Sequence, residues 1–277
     1  MRSTQSSGFY INYWAGDKGG VGKSWCARLD AQRHVDRNQK FWLVDTDKRE
    51  KSTYDFYPEF ALKKDVFFSE VPELRSVANP HFEAAIERPV VANCQAGSND
   101  SLLAWIKEKQ VSKVAQEKGI RLRYFFVSDL CNASLNRFKE TVREFKEHLP
   151  LIFVVNRGLD LTDGAILKSD KFHSFLKQNH IPLIQLGKFD LNWRKVIEGE
   201  NAESSLLSWG EARDYSEFGI LGQAEVQAYL EDFYGQVDDA ERLADLAFSQ
   251  RVSSTSRSSA QTKTISTPSG KPNSSNG

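Results

Sequence analysis

The chain has no net charge. Its 37 Lys and Arg residues are matched by 37 Asp and Glu, so no overall field draws it toward nucleic acid or anionic lipid. Cysteine is scarce as well. Cys26, Cys94 and Cys131 are scattered without Cys-x-x-Cys spacing, and a reducing cytoplasm is the simplest setting for them. The five histidines, His34, His81, His148, His173 and His180, are dispersed, lack metal-ligand spacing and are assigned no catalytic role. No stretch reaches the ~20 apolar residues of a membrane-spanning helix, and the first 25 residues lack the apolar core of a signal peptide. The expectation is a cytoplasmic protein with no membrane segment. From Val252 onward there is no aromatic residue, and Ser, Thr, Asn, Pro and Gly dominate. Such a segment cannot bury enough surface to offset its ordering entropy, so residues 252–277 are expected to form a disordered tail behind a single domain, residues 1–251.

What is present is enough for one sizeable core: 277 residues, 40% hydrophobic and 12% aromatic. Short apolar runs at Phe9 to Trp14, Phe41 to Val44, Pro89 to Ala92, Leu122 to Val127, Leu151 to Val155 and Pro182 to Leu186 predict six strands. Helical patterns lie between them. One is expected from Ser24 to about Gln39. Another carries Leu102, Leu103, Ile106, Val111 and Val114 up to a Gly119 C-cap, and a third carries Leu135, Phe138, Val142, Phe145 and Leu149, capped by Asn132 or Ser134. Residues 53 to 80 are aromatic and irregular, reading as an insertion or short helices. Two further helices are expected, Leu221 to Tyr234 and Asp238 to Arg251. The alternation predicts an α/β fold, a mainly parallel central sheet with helices on both faces and a ligand site beyond the strand carboxyl ends.

Directly after the first strand comes Lys18-Gly19-Gly20-Val21-Gly22-Lys23-Ser24. Glycines let backbone N–H groups converge on phosphate without Cβ clashes, a lysine reaches the terminal phosphate oxygens, and a hydroxyl joins the shell of a bound Mg²⁺. Lys23 and Ser24 hold those two places, and Trp25 continues the nucleotide-binding set of Gly19, Gly20, Val21, Gly22, Lys23 and Ser24. The rings of Trp14 and Trp25, which flank the loop, are expected in the core rather than against a base.

The extra lysine, Lys18, gives the loop its particular character. The motif resembles the deviant Walker A signature of the ParA/MinD group of P-loop ATPases, which dimerise around ATP. The resemblance implies that Lys18 crosses the dimer interface to the partner's phosphates, so that charge stabilising phosphoryl transfer arrives only when two subunits close. It also implies roles for three strand ends. In Leu43-Val44-Asp45-Thr46-Asp47, Asp45 would stand near Mg²⁺ and Asp47 would orient the attacking water, making Lys18, Lys23 and Asp47 the catalytic set. In Val90-Val91-Ala92-Asn93-Cys94-Gln95-Ala96-Gly97, Asn93 replaces the family's aspartate as outer partner of the metal, and Gln95 replaces a proline. Such a loss at a metal's outer shell typically costs about 10 to 100-fold, so hydrolysis is expected to be slow or nearly absent. At Asn156-Arg157 the family commonly places an adenine-reading asparagine, although Asn156 also fits an ordinary strand-end turn. Asp17 is a further departure; it can pair with Lys18 or disfavour phosphate. Cys94 beside Asn93 and Cys131 in another loop raise the idea of a bridged iron–sulfur cluster, against which buried small side chains are the better default.

Three functions follow as expectations. The first is a slow, ATP-dependent dimerising switch using Mg²⁺, in plasmid partition, stability or conjugative mobilisation, with an unidentified partner protein. The second is an ATP sensor that recruits partners without turnover, and the third a metabolic ligase of the same superfamily. Adenine rather than guanine is what the resemblance implies; no Asn-Lys-x-Asp guanine motif follows the fifth expected strand, where Asn156-Arg157-Gly158-Leu159 is the nearest segment. A basic amphipathic C-terminal helix is lacking, since Asp238, Asp239, Glu241 and Asp245 crowd the last helix; membrane attachment is disfavoured. Arg251, Arg257, Lys263 and Lys271 near the end would support only weak, sequence-independent contact with DNA.

Overall fold

A computed structural model describes residues 9–16, 18–49, 51–200 and 205–263, with residues 254–263 described by their backbone alone. In chain order its elements are β1 Tyr10–Ala15, α1 Lys23–Asp36, β2 Trp42–Asp45, α2 Asn79–Ala84, β3 Val90–Asn93, α3 Asn99–Glu108, α4 Val111–Lys118, β4 Arg121–Ser128, α5 Asn132–Phe145, β5 Leu151–Asn156, α6 Asp170–Gln178, β6 Leu183–Leu186, α7 Leu191–Ile197, α8 Trp209–Asp214 and α9 Gly219–Lys263. All six strands pair in parallel, in the order β2-β3-β1-β4-β5-β6. The chain builds to one side of β1 and then crosses to β4 on the other. The reversal beside β1 is the place where an open α/β sheet leaves a crevice for a ligand.

Strand sequences explain the layering. Along β1, Ile11 and Tyr13 enter one core with α3, α4 and α5, while Trp14 enters a second core with α1, α8 and α9. Both sheet faces are therefore covered, as near-continuous apolar strands require. Residues 53–80, expected to be irregular, contain 3₁₀ turns at Ser52–Asp55 and Pro72–Ala78 and a single bridge from Ala61 to Leu43 at the sheet edge.

Three expectations need correction. The helix predicted across Leu102 to Gly119 is two helices, broken at Gln110, whose φ of 51° is left-handed. The step from Ile106 to Val111 is five residues, one too many for an apolar stripe, and the chain rewinds there. Gly119 does cap α4, at φ 68°. At α5 the cap is neither Asn132 nor Ser134 but Cys131, whose Sγ accepts the Ser134 N–H at 3.4 Å; the Ser134 hydroxyl is turned to Ser128, 2.8 Å away. The two expected C-terminal helices are one, α9. Val226, Leu230, Phe233, Val237, Ala240 and Ala244 continue a single buried stripe through the supposed gap, and Gly235 alone does not interrupt it. The backbone of α9 runs on to Lys263, and residues 264–277, part of the expected tail, lie outside the described residues.

Candidate nucleotide site

The loop between β1 and α1 is shaped by backbone constraint. Gly16 leaves β1 at φ 148°, and a Cβ there would stand 2.7 Å from the Val127 carbonyl oxygen; Gly22 ends the loop at φ 104°, where a Cβ would stand 2.6 Å from Asn156 Nδ2. Neither position admits a side chain without displacing a neighbouring strand end. Gly22 is also the N-cap residue of α1 and supplies no side-chain cap, and the first turn of the helix contains no acid. The first N–H groups of α1 therefore remain available to an anion, reinforced by the positive end of the helix dipole.

The predicted residues gather around this loop. Lys23 is buried, and its Nζ donates to the Lys18 carbonyl oxygen at 2.8 Å, curling back beneath the loop. Asp45 ends β2 and Asn93 ends β3, in register with one another. The Asn93 Nδ2 donates both to Ser24 Oγ and to Asp45 Oδ2, each at 3.1 Å. Asp45 is fully buried; its Oδ2 also accepts from Thr53 Oγ1 at 2.7 Å and Thr53 N–H at 3.2 Å, and its Oδ1 accepts from the Asp47 N–H at 3.1 Å. Burial pushes the Asp45 carboxyl above its ordinary pKa, opposed by these same donors. Asp47, half-buried, turns its Oδ1 to the Arg49 N–H at 2.9 Å.

Lys18 lies at the rim with 54% of its side chain exposed, and its Nζ is 2.5 Å from Asp129 Oδ2 at the end of β4. The hydrogen bond that Lys18 donates to Asp129 raises the Lys18 pKa. Burial alone would raise that of Asp129, but Lys18 and Cys131 outweigh it and hold the carboxyl low. Asp17 lies outside the described residues.

Asn156 spans from β5 to the loop: its Nδ2 donates to the Val21 carbonyl oxygen and its Oδ1 accepts from the Gly158 N–H, both at 3.0 Å. In this arrangement the asparagine holds the loop down. The Trp25 ring is buried, edge-on to Trp209 at 4.7 Å, with its Nε1 donating to Tyr229 Oη at 3.1 Å. Trp14 is buried too, stacked on Phe125 at 4.1 Å.

Beside the loop opens a cleft of about 470 Å³, lined by Lys23, Ser24, Asn156 and Leu159 on one side and Phe189 and Arg194 on the other. Its floor includes Arg28, which pairs with Glu198 through contacts of 2.5 and 3.3 Å and lies 3.9 Å from the centre of the Phe56 ring. Thr53, Asp129, Arg28 and Phe189 were not legible as site residues, because nothing in their local sequence distinguishes them. Their placement comes from packing.

Mg²⁺, the usual companion of such a loop, is held by the loop's hydroxyl and a strand-end carboxylate. Ser24 offers the hydroxyl. The neighbouring position carries an amide, and the nearby Asp45 carboxylate is fully buried and occupied by four donors from the chain. Among the described residues no cluster of three His, Cys, Asp or Glu side chains is arranged to hold a metal ion. Of the two donors such a cation takes from the protein, the chain offers the Ser24 hydroxyl, while the strand-end carboxylate is replaced by the Asn93 amide or already occupied at Asp45.

Strand order, central loop and following helix define a parallel α/β fold of the P-loop type. Comparison with solved structures gives three distant neighbours. A nucleotide-binding protein from Archaeoglobus fulgidus in complex with ADP is 15% identical over 67% of this chain and 83% of its own, with a TM-score of 0.43. A putative plasmid partition protein from Borrelia burgdorferi B31 bound to AMPPNP is 15% identical over 83% of this chain and 99% of its own, also at 0.43. FlhF complexed with GMPPNP and Mg²⁺ is 13% identical over 66% and 67%, at 0.37. No protein-family model and no curated protein sequence matches the chain.

Proposed function

We propose that this protein is an ATP-binding switch whose subunits pair on bound nucleotide and whose hydrolysis is slow or absent. The observation that carries the reading is the loop itself. Lys23 and Ser24 sit at the uncapped N-terminus of α1, under backbone that only glycine can form, with an open cleft alongside. A triphosphate placed there meets converging N–H groups, the Lys23 ammonium and the helix dipole together.

Turnover needs more than binding. Asn93 brings no negative charge beside Ser24, and Asp47 is engaged with its own turn, so the chain offers little to activate a water. Pairing is supported by Lys18, whose ammonium stands at the exposed rim beside Asp129 and Cys131 rather than folded under the loop as that of Lys23 is. A role in plasmid partition, stability or conjugative mobilisation belongs to this reading through the resemblance of the loop.

Titration calorimetry with ATP, ADP and GTP tests the binding step. Lys23→Ala is expected to weaken ATP binding by at least about tenfold, the loss of one charge-assisted hydrogen bond. Unchanged affinity in that variant would remove the site. Phosphate release no faster than buffer would identify a sensor rather than an ATPase.

A further inference from the structure

The strand-end amide at Asn93 has a consequence for the cation. We propose that nucleotide binding by this protein is independent of divalent metal, because Asn93 has replaced the group that would require one; this rests on the nucleotide-site reading above.

The orientation of the amide is set by its neighbours. Asn93 is buried, and its Nδ2 is 3.1 Å from the carboxylate oxygen of Asp45. Turned the other way, it would set Oδ1 against that carboxylate, acceptor against acceptor, in a place water does not reach. The carboxylate therefore fixes the amide. The same Nδ2 donates to Ser24 Oγ at 3.1 Å, and the Asn93 Oδ1 lies 3.4 Å from that hydroxyl. One neutral side chain thus joins the hydroxyl of the phosphate loop to the buried acid of the neighbouring strand.

In a loop that uses Mg²⁺, a carboxylate beside the hydroxyl holds the metal's shell and also repels the phosphates. The cation has to bridge the two negative groups. Here that repulsion is absent, because the side chain nearest Ser24 is uncharged and Asp45 is covered by donors from Thr53, Asp47 and Asn93. The phosphates meet Lys23 and helix N–H groups without a carboxylate to bridge, and the metal's usual partner is missing. An aspartate at position 93 would reverse this. Its second oxygen would fall near the present Nδ2, about 3 Å from Asp45, and two carboxylates so close cannot both stay charged unless a cation intervenes.

The test is ADP affinity by titration calorimetry in excess Mg²⁺ and in excess EDTA, for wild type and for Asn93→Asp. Wild type should change by less than about threefold, whereas N93D should gain a Mg²⁺ dependence of about tenfold or more, the scale of a metal-partner effect. Millimolar Mg²⁺ without nucleotide should raise the thermal midpoint of N93D and leave wild type unmoved. A wild-type affinity that falls more than about tenfold in EDTA overturns the inference. So does an N93D variant with no added metal dependence. If N93D fails to fold, the wild-type comparison decides alone. Absence of ADP binding in both conditions refutes the nucleotide site itself and takes this inference with it; binding that needs Mg²⁺ refutes the inference and leaves the site standing.

Discussion

Lys18 and Asp129 are 111 residues apart in sequence and share a contact of 2.5 Å. A lysine that serves a second subunit must first leave this partner. Truncating Asp129 to alanine is therefore expected to shift the monomer–dimer balance toward dimer at a given ATP concentration, and Lys18→Ala to abolish nucleotide-dependent pairing while sparing ATP binding by the monomer. Light scattering with and without ATP reads both; pairing by the Lys18→Ala variant equal to wild type would end the proposal of a lysine acting across an interface. At this scale the sequence was legible wherever chemistry and chain order coincide, as in the run from Lys18 to Ser24. It was opaque where a group acts through proximity alone. Thr53, which donates twice to Asp45, sits in a stretch whose aromatic, irregular composition promises nothing.

Among the elements, α9 carries the main lesson. Its apolar residues follow each other at three and four positions from Val226 to Ala244, straight through the gap expected between Tyr234 and Asp238, where Gly235 lowers helix propensity. Packing overrides that preference here. An added Cβ at Gly235 would meet nothing within 4 Å, and its backbone is not in the left-handed region. Gly235→Ala is therefore expected to stabilise the fold by roughly 0.5–1 kcal/mol, measured as a higher denaturant midpoint at unchanged slope. A decrease would mean that the helix needs the glycine for a bend. The six strands, by contrast, were readable from short apolar runs because each is covered on both faces, and the parallel order followed from alternation with helices. The break at Gln110 and the thiol cap at Cys131 depend on local geometry that propensity does not encode.

At the scale of the whole molecule, a buried polar network ties α9 to the sheet and to α1. Arg33 reaches Asp30, Asp238 and Glu241; Arg123 of β4 reaches Glu241 and Asp245; Asn12 of β1 donates to Asp30 and Glu241. Burial alone would raise the Glu241 pKa, but Arg33 and Arg123 outweigh it and hold it down to about 2 from 4.5. A depressed carboxyl pKa stabilises the fold above the unfolded value and loses that contribution as pH falls toward the folded one. Stability is thus expected to decline as pH falls below the ordinary carboxylate range, with this group contributing to the loss. Glu241→Gln should flatten that part of the pH profile in denaturant titrations; an unaltered slope would assign it to other acids.

The same helix has one further property. Tyr229 near its start lines the cleft, and Arg251 donates to the carbonyl oxygens of Lys146 and Asn179, at the ends of α5 and α6. That span of about 22 residues is ~33 Å of continuous rod. One continuous helix joins the cleft to the ends of α5 and α6, and because Asp238, Glu241 and Asp245 anchor it midway to Arg33 and Arg123, a tilt imposed where Tyr229 stands would load that anchored middle before it reached Arg251.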